Sequence, residues 1–423
     1  MNLYLQSSVV KQQSEIKITG SKSETNRLLL LQALYPNLEI ENASNSDDSD
    51  VMIKALLHDS QVTSVPPLGA RGIDIHHAGT AMRFLTAYFA QKEGHEVILT
   101  GSSRMQERPI QILVDALKQL GADIEYAVNY GFPPLKILGK KLTNNKVSLP
   151  ANVSSQFISA LLLIAPKLEN GLELTLIGEI TSIPYINMTL TLLNEIGVET
   201  SFENNKIAVK PKFVIRNSKF VIESDWSSVS YFYSIIALSE IGTQITLSSF
   251  KQNSLQGDAA LVNLYKDFGV ETTFENKSII LRKAEIKNQK SLICNLQSSP
   301  DIAQTIAVTC FGLGIGCNLS GLHTLKIKET DRLEALKTEL TKLGATIQVT
   351  NDSLTLAPQV LPFAKDLGWA SIATYQDHRM AMAFAPLALK TNIIIENAEV
   401  VSKSYPTFWE DLKQIGFNIS EID

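Results

Sequence analysis

Apolar positions along the chain form two kinds of run, and both recur at a fixed distance. The first kind is apolar nearly all round, as in Phe157-Ile158-Ser159-Ala160-Leu161-Leu162-Leu163 and Met380-Ala381-Met382-Ala383-Phe384. Such runs predict helices buried on every side. Six are expected, starting near Ser23, Gly79, Ser154, Ser227, Asp301 and Asp377, at spacings of 56, 75, 73, 74 and 76 residues. The second kind is one-sided and ends in Gly before β-rich sequence: Gln119-Leu120-Gly121-Ala122, Glu195-Ile196-Gly197-Val198, Asp267-Phe268-Gly269-Val270, Lys342-Leu343-Gly344-Ala345 and Gln414-Ile415-Gly416-Phe417. These glycines lie 76, 72, 75 and 72 residues apart. Each reads as a helix C-cap, where Gly takes the left-handed conformation cheaply. A first copy ending near Leu57 lacks the glycine.

One period therefore carries a buried helix, an outer amphipathic helix and several short strands. This is an α+β unit used six times, and its period exceeds that of common solenoid repeats. Three copies per half give two similar domains meeting near residues 222–226, with a ligand expected in the cleft between them.

Composition narrows the class. A 423-residue chain with 44% hydrophobic and 19% charged residues reads as a soluble protein of two or three domains. Its net charge of -5 provides no global basic field for nucleic acid or an acidic membrane. No apolar run approaches the roughly 20 residues of a membrane span. Residues 1–14 show no basic segment followed by an apolar core, so a cytoplasmic protein is expected. Cys294, Cys310 and Cys317 read as buried free thiols. His378 has no second ligand at metal spacing, and His76-His77 would diverge on a strand, so no metal site is read.

The candidate chemistry is anionic. Lys supplies the ordinary surface charge, whereas Arg27, Arg83, Arg104, Arg108, Arg332 and Arg379 fall in short motif-like segments. Arg offers a planar fork that grips carboxylate or phosphate bidentately. In Lys328-Glu329-Thr330-Asp331-Arg332, a short turn before a helix, the two cations would share one helix face with Glu329 beside them. Clustered like charges are unfavourable unless an anion sits between them. Small or polar residues open all six buried helices, whose N-termini attract anions. Ser154-Ser155-Gln156 places two hydroxyls and an amide at one such start, more than N-capping requires.

The segments Gly20-Ser-Lys-Ser with Asn26-Arg27, Ala78-Gly-Thr-Ala-Met-Arg83, Glu107-Arg-Pro-Ile110, Val153-Ser-Ser-Gln156, Gln256-Gly-Asp258, Lys328-Glu-Thr-Asp-Arg332 and Asp377-His-Arg-Met-Ala-Met382 together resemble the 5-enolpyruvylshikimate-3-phosphate synthase family, in order and over essentially the whole chain. The resemblance implies two domains of three βαβαββ-type repeats, an inside-out α/β barrel pair. It places residues 19–224 in an N-terminal domain, and 225–423 in a C-terminal domain completed by residues 1–18. It implies transfer of the enolpyruvyl group of phosphoenolpyruvate to the 5-hydroxyl of shikimate 3-phosphate, releasing phosphate, by a monomer without metal or cofactor. Carried over by motif, shikimate 3-phosphate meets Lys22, Ser23, Arg27, Ser154, Ser155, Gln156, Ser182, Tyr185, Asp301, Thr324 and Lys328. Phosphoenolpyruvate meets Lys22, Gly79, Arg108, Gln156, Arg332, Arg379 and Lys403. Asp301 is the implied base, Glu329 the implied acid, and Lys22 and Lys403 stabilise the leaving phosphate, with His378 also among the catalytic residues.

Four features depart from the family pattern: His77 in place of Asn, Phe84 in place of Pro, Thr324 in place of Asn, and a short segment after Asp50. Gly79 is expected to leave room for glyphosate, a competitor of phosphoenolpyruvate. The sister transferase acting on UDP-N-acetylglucosamine would carry Lys-Asn at positions 22–23 and a Cys in the loop before Arg108, where this chain has Gly101-Ser102-Ser103-Arg104-Met105. A non-catalytic anion-binding protein would gain nothing from Asp301 and Glu329 among its cations.

Overall fold

The computed structural model describes residues 1–60, 71–286, 291–358 and 370–422. The chain divides into two compact α+β units, Met1–Gly20 with Glu223–Asp423, and Ser21–Ile222.

Within Ser21–Ile222 one repeat shows the plan. Strand Lys146–Pro150 leads through the buried helix Ser155–Ile164 to strand Leu172–Ile177, which runs parallel to it. The outer helix Ile183–Glu195 follows, then the hairpin Thr200–Glu203/Lys206–Val209, whose second strand pairs antiparallel with Leu172–Ile177. Leu172, Leu174 and Leu176 point inward while Glu173, Thr175 and Ile177 point out, the alternation of a half-buried strand. Asn204 and Asn205 form the two-residue turn with φ of 48° and 61°, a geometry Asn tolerates. The sheets containing Arg71–Asp74 and Ser291–Asn295 repeat this strand order.

Two leading strands are exchanged between repeats. Gln13–Ile16 precedes helix Lys22–Leu34 in the chain but lies parallel to Gln244–Ser248. Ser218–Val221 precedes helix Trp226–Leu238 but lies parallel to Leu38–Glu41. Asn2–Gln6 sits between Ile393–Ile395 and Asn418–Ile422, supplying the fourth strand of the last sheet.

The six predicted apolar helices are present and largely buried; in Trp226–Leu238 only Ser227 is not. Gly121, Gly197, Gly269, Gly344 and Gly416 all have positive φ, between 72° and 117°.

The structure corrects several expectations. Helix Arg332–Lys342 begins at Arg332 with Asp331 as N-cap, so Lys328 and Arg332 share no helix face. Pro300 and Asp301 lie in a 3₁₀ turn, Pro300–Ile302, ahead of helix Ala303–Leu313. The outer helix of the fourth repeat breaks into Gly257–Ala260, Leu261–Leu264 and Tyr265–Phe268, the outer two of them 3₁₀ turns. His76 and His77 occupy a turn after strand Arg71–Asp74, with His76 at φ 47°. Cys310 and Cys317 are buried, but Cys294 is half-buried. Helix Asp47–Ser60 takes up the start of the segment after Asp50, and residues 61–70 lie outside the described residues.

Candidate active site

In the unit formed by Met1–Gly20 and Glu223–Asp423, the ends of three elements bring their charges to one place. The 3₁₀ turn contributes Asp301, the loop and start of helix Arg332–Lys342 contribute Lys328, Glu329 and Arg332, and the start of helix His378–Phe384 contributes Asp377 and Arg379. Arg332, only 2% exposed, is the hub. Its Nε donates to Asp377 Oδ2 at 2.6 Å, Nη1 to Asp301 Oδ1 at 2.9 Å, and Nη2 to Glu329 Oε2 at 2.8 Å and Asp377 Oδ1 at 3.3 Å. Lys403 Nζ donates to the other oxygen of Glu329 at 2.7 Å. Lys328 Nζ lies 3.3 Å from Asp301 Oδ1, and Arg379 Nη2 lies 3.4 Å from Asp301 Oδ2.

Four cations thus face three carboxylates. The expectation that these like charges await an anion is corrected: Asp301, Glu329 and Asp377 already lie between them. Burial pushes the Asp301 carboxyl up, but Arg379, Lys328 and Arg332 outweigh it and hold the group well below the usual carboxylate range. Burial is also the largest influence on Lys328 and pulls its ammonium down, against the attraction of Asp301. An incoming anion would compete with these carboxylates for the cations.

His378, at the start of its helix, is buried with Nδ1 3.8 Å from Asp377 Oδ1. Thr324 lies in the 3₁₀ segment His323–Ile327, and its buried hydroxyl has no hydrogen-bond partner among the described residues.

In Ser21–Ile222 the helix starts carry a second cluster. Ser21 caps helix Lys22–Leu34, so Lys22 and Ser23 open it, and Lys22 Nζ pairs with Asp48 at 3.1 Å. Arg27, one turn on, is 3% exposed and has no carboxylate ion-pair partner among the described residues. Its Nε donates to Thr189 Oγ1 at 2.8 Å, Nη1 to the Ser23 carbonyl at 2.8 Å, and Nη2 to Ser159 Oγ at 2.9 Å and the Tyr185 carbonyl at 3.3 Å. The guanidinium carbon lies 5.5 Å from the Phe84 ring centre and 6.0 Å from that of Tyr185. Burial pulls Arg27 down to about 10, with Tyr185 and Glu24 opposing it. A buried cation held by neutral groups favours an anion beside it, and four of its five N–H groups are engaged, leaving one for a ligand.

Gly79 opens helix Gly79–Ala90 against Arg108: a Cβ built on it would come within 2.7 Å of Arg108 Nη1. Gln156 Nε2 donates to Thr80 Oγ1 at 3.0 Å, joining the start of helix Ser155–Ile164 to that of Gly79–Ala90. Ser154 caps helix Ser155–Ile164, accepting from the Gln156 amide, and Ser155 follows it, buried. Ser182, at φ 53°, leads into helix Ile183–Glu195, whose first turn carries Tyr185.

The family model of EPSP synthase (3-phosphoshikimate 1-carboxyvinyltransferase) matches residues 7–412. The chain belongs to the EPSP synthase family. A 3-phosphoshikimate 1-carboxyvinyltransferase of Bacteroides fragilis is 45% identical over 427 residues, covering 98% of each chain. That of Haemophilus influenzae is 37% identical over 422 residues, covering 95% of this chain and 96% of the relative. The fold is that of an EPSP synthase structure from Acinetobacter baumannii, with a TM-score of 0.78 at 21% identity, over 99% of this chain and 100% of that one.

Several partners in this EPSP synthase family member escaped sequence reasoning. Asp48 reads in sequence as one of three acidic residues in the first turn of Asp47–Ser60, a dipole effect, yet it holds Lys22. Asp377 reads as an N-cap, and it does accept from the Arg379 amide at 2.9 Å, but it also anchors Arg332. Thr189 and Ser159, inward-facing hydroxyls on apolar helices, support Arg27; a hydroxyl at helical spacing on a buried face is the signal that would have found them.

Proposed function

We propose that this protein transfers the enolpyruvyl group of phosphoenolpyruvate to the 5-hydroxyl of shikimate 3-phosphate, releasing phosphate, and that both charge clusters bear on that substrate pair. The observation that carries the residue roles is that Asp301 and Glu329 hang on one guanidinium, at 2.9 and 2.8 Å from Arg332. When the carboxylate of phosphoenolpyruvate takes Arg332 and Arg379, Asp301 keeps only Lys328 of the three cations that suppress its basicity, and Glu329 keeps only Lys403.

Asp301 then removes the 5-hydroxyl proton as that oxygen forms a bond to C2 of phosphoenolpyruvate. Glu329, which takes up a proton from solvent as Arg332 turns to the substrate carboxylate, gives that proton to C3, turning the methylene into a methyl and leaving a tetrahedral ketal that still carries phosphate. In the second half C3 returns a proton to Glu329, the C2–phosphate oxygen bond breaks, and the new enol ether remains. Phosphate leaves against Lys22 and Lys403, and the proton on Asp301 departs with it. His378, the buried first residue of its helix beside Asp377, also belongs to the catalytic set in this reading. Only protons and one group move, so the scheme requires no electron carrier.

Lys22, Gly79, Arg108, Gln156, Arg332, Arg379 and Lys403 take phosphoenolpyruvate in this reading. Shikimate 3-phosphate takes Lys22, Ser23, Arg27, Ser154, Ser155, Gln156, Ser182, Tyr185, Asp301, Thr324 and Lys328. A monomeric state and a cytoplasmic location belong to the same reading. Among the described residues no helix is long and apolar enough to cross a membrane. The test is phosphate release from phosphoenolpyruvate with shikimate 3-phosphate present or withheld. Release only with both, lost in Glu329→Gln, is expected; release without the acceptor contradicts the assignment.

A further inference from the structure

The segment Gln256-Gly257-Asp258 has a motif-like composition but no role in the scheme above. It is bolted to the start of helix Trp226–Leu238: Gln256 Oε1 accepts from the Trp226 amide at 2.9 Å, and its Nε2 donates to the Ser224 carbonyl at 2.9 Å and to Glu223 Oε2 at 3.3 Å. The fixture delivers Asp258 into the protein at 1% exposure. Asp258 Oδ2 accepts a short hydrogen bond from the Ser227 hydroxyl, while its buried Oδ1 has no hydrogen-bond partner among the described residues.

A carboxylate so poorly supplied with donors is unfavourable where it stands, so packing alone gives no reason for it. Burial is the largest influence and raises its pKa to about 6, with Arg379 and Ser227 lowering it and Asp301 and Asp225 raising it. What the position gains is order at Arg379. Because Ser227 gives its hydrogen to Asp258, its lone pairs are left facing outward, and Arg379 Nη2 donates to them at 3.3 Å. The same Nη2 reaches Asp301 Oδ2 at 3.4 Å, and Nη1 reaches the Asp301 carbonyl at 3.2 Å.

We propose that Asp258 is a positioning residue: acting through the Ser227 hydroxyl, it holds the Arg379 guanidinium shared between Ser227 and Asp301, turned to receive the carboxylate of phosphoenolpyruvate. Without that hold the fork collapses onto Asp301. The inference rests on the reading of Arg379 as a phosphoenolpyruvate contact. It adds a hydrogen-bonded relay from Gln256-Gly257-Asp258 to that contact.

The experiment is steady-state kinetics with both substrates varied, on Ser227→Ala, Asp258→Ala, the double variant, Asp258→Asn and Arg379→Ala. Losing one hydrogen bond to a charged group corresponds to about a tenfold rise in the KM for phosphoenolpyruvate in each single variant. The kcat and the dissociation constant of shikimate 3-phosphate stay within about twofold, since neither group touches the reacting atoms. The double variant is no worse than the poorer single one, because both act in one relay. Asp258→Asn still accepts from Ser227 and recovers most of the loss. Single variants that leave this KM unchanged overturn the proposal, as do effects that multiply or an equal loss for both substrates. Should Asp258→Ala fail to fold, Ser227→Ala, at a half-buried position, and Asp258→Asn still decide. Arg379→Ala separates the two readings: if it leaves the KM for phosphoenolpyruvate unchanged, the assignment of Arg379 fails, whatever Asp258 does.

Discussion

Removing Asp377 is expected to separate the anchoring of Arg332 from the capping of a helix. Asp377 is fully buried and does both: it accepts from Arg332 Nε at 2.6 Å and Nη2 at 3.3 Å, and from the Arg379 amide at 2.9 Å. Breaking a buried ion pair from one side destabilises by about 3–5 kcal/mol when the remaining charge has no other partner. Arg332 keeps Asp301 and Glu329, so the lower end, about 3 kcal/mol, applies. Loss of an N-cap adds about 1 kcal/mol. Asp377→Ala should therefore lose about 4 kcal/mol, and Asp377→Ser, which can still cap, about 3 kcal/mol. Either is a large share of a stability of roughly 5–15 kcal/mol. The assay is urea unfolding followed by tryptophan fluorescence; Trp226 and Trp409 both lie in this unit. Binding should weaken for phosphoenolpyruvate in both variants, because Arg332 then settles onto Asp301 and Glu329. Variants as stable as the parent, or an Asp377→Ser variant as unstable as Asp377→Ala, would refute the partition.

The remaining expectations concern charge and space. Asp301 is held below its unfolded value, so the unfolded chain binds the extra proton; stability from this group is present above the unfolded pKa of about 3.9 and is lost as pH falls below it, a loss Asp301→Asn should abolish in acid titrations. Gly79→Ala drives a Cβ against Arg108 and should raise the KM for phosphoenolpyruvate while leaving shikimate 3-phosphate binding near that of the parent; inhibition by glyphosate, expected to be strong in the parent, should weaken with it, and an unchanged inhibition constant would show that the Gly79–Arg108 contact does not govern either anion. Arg27→Lys keeps the charge but loses the fork held by Thr189, Ser159 and two carbonyls, so shikimate 3-phosphate should bind more weakly, by about tenfold, at undiminished phosphoenolpyruvate affinity.

Much of the plan was legible because it depends on local physics. All-round apolar helices have to be buried, and glycines closing one-sided helices have to take positive φ; Gly121 and Gly416 do so at 101° and 117°. The exchanged strands were not legible from periodicity. Gln13–Ile16 and Ser218–Val221 are four-residue strands, and nothing in so short a run specifies that each pairs away from the helix that follows it. At the site, residue types indicated anion chemistry, but the pairing that governs it is tertiary. Asp377 lies 45 residues from Arg332 in sequence, and Lys403 lies 74 from Glu329. Sequence alone therefore left the cations looking unneutralised. Asp258 was hidden for the opposite reason: Gly-Asp in a turn is ordinary, and only its burial without adequate donors sets it apart.

The most direct test of the proposed mechanism is turnover in heavy water, with mass spectrometry of the methylene hydrogens in the product. If Glu329 gives a proton to C3 and C3 later returns one, deuterium enters that methylene during transfer, and Glu329→Gln abolishes both turnover and label. Product formed at full rate with no deuterium in the methylene would contradict protonation at C3, and with it the role assigned to Glu329.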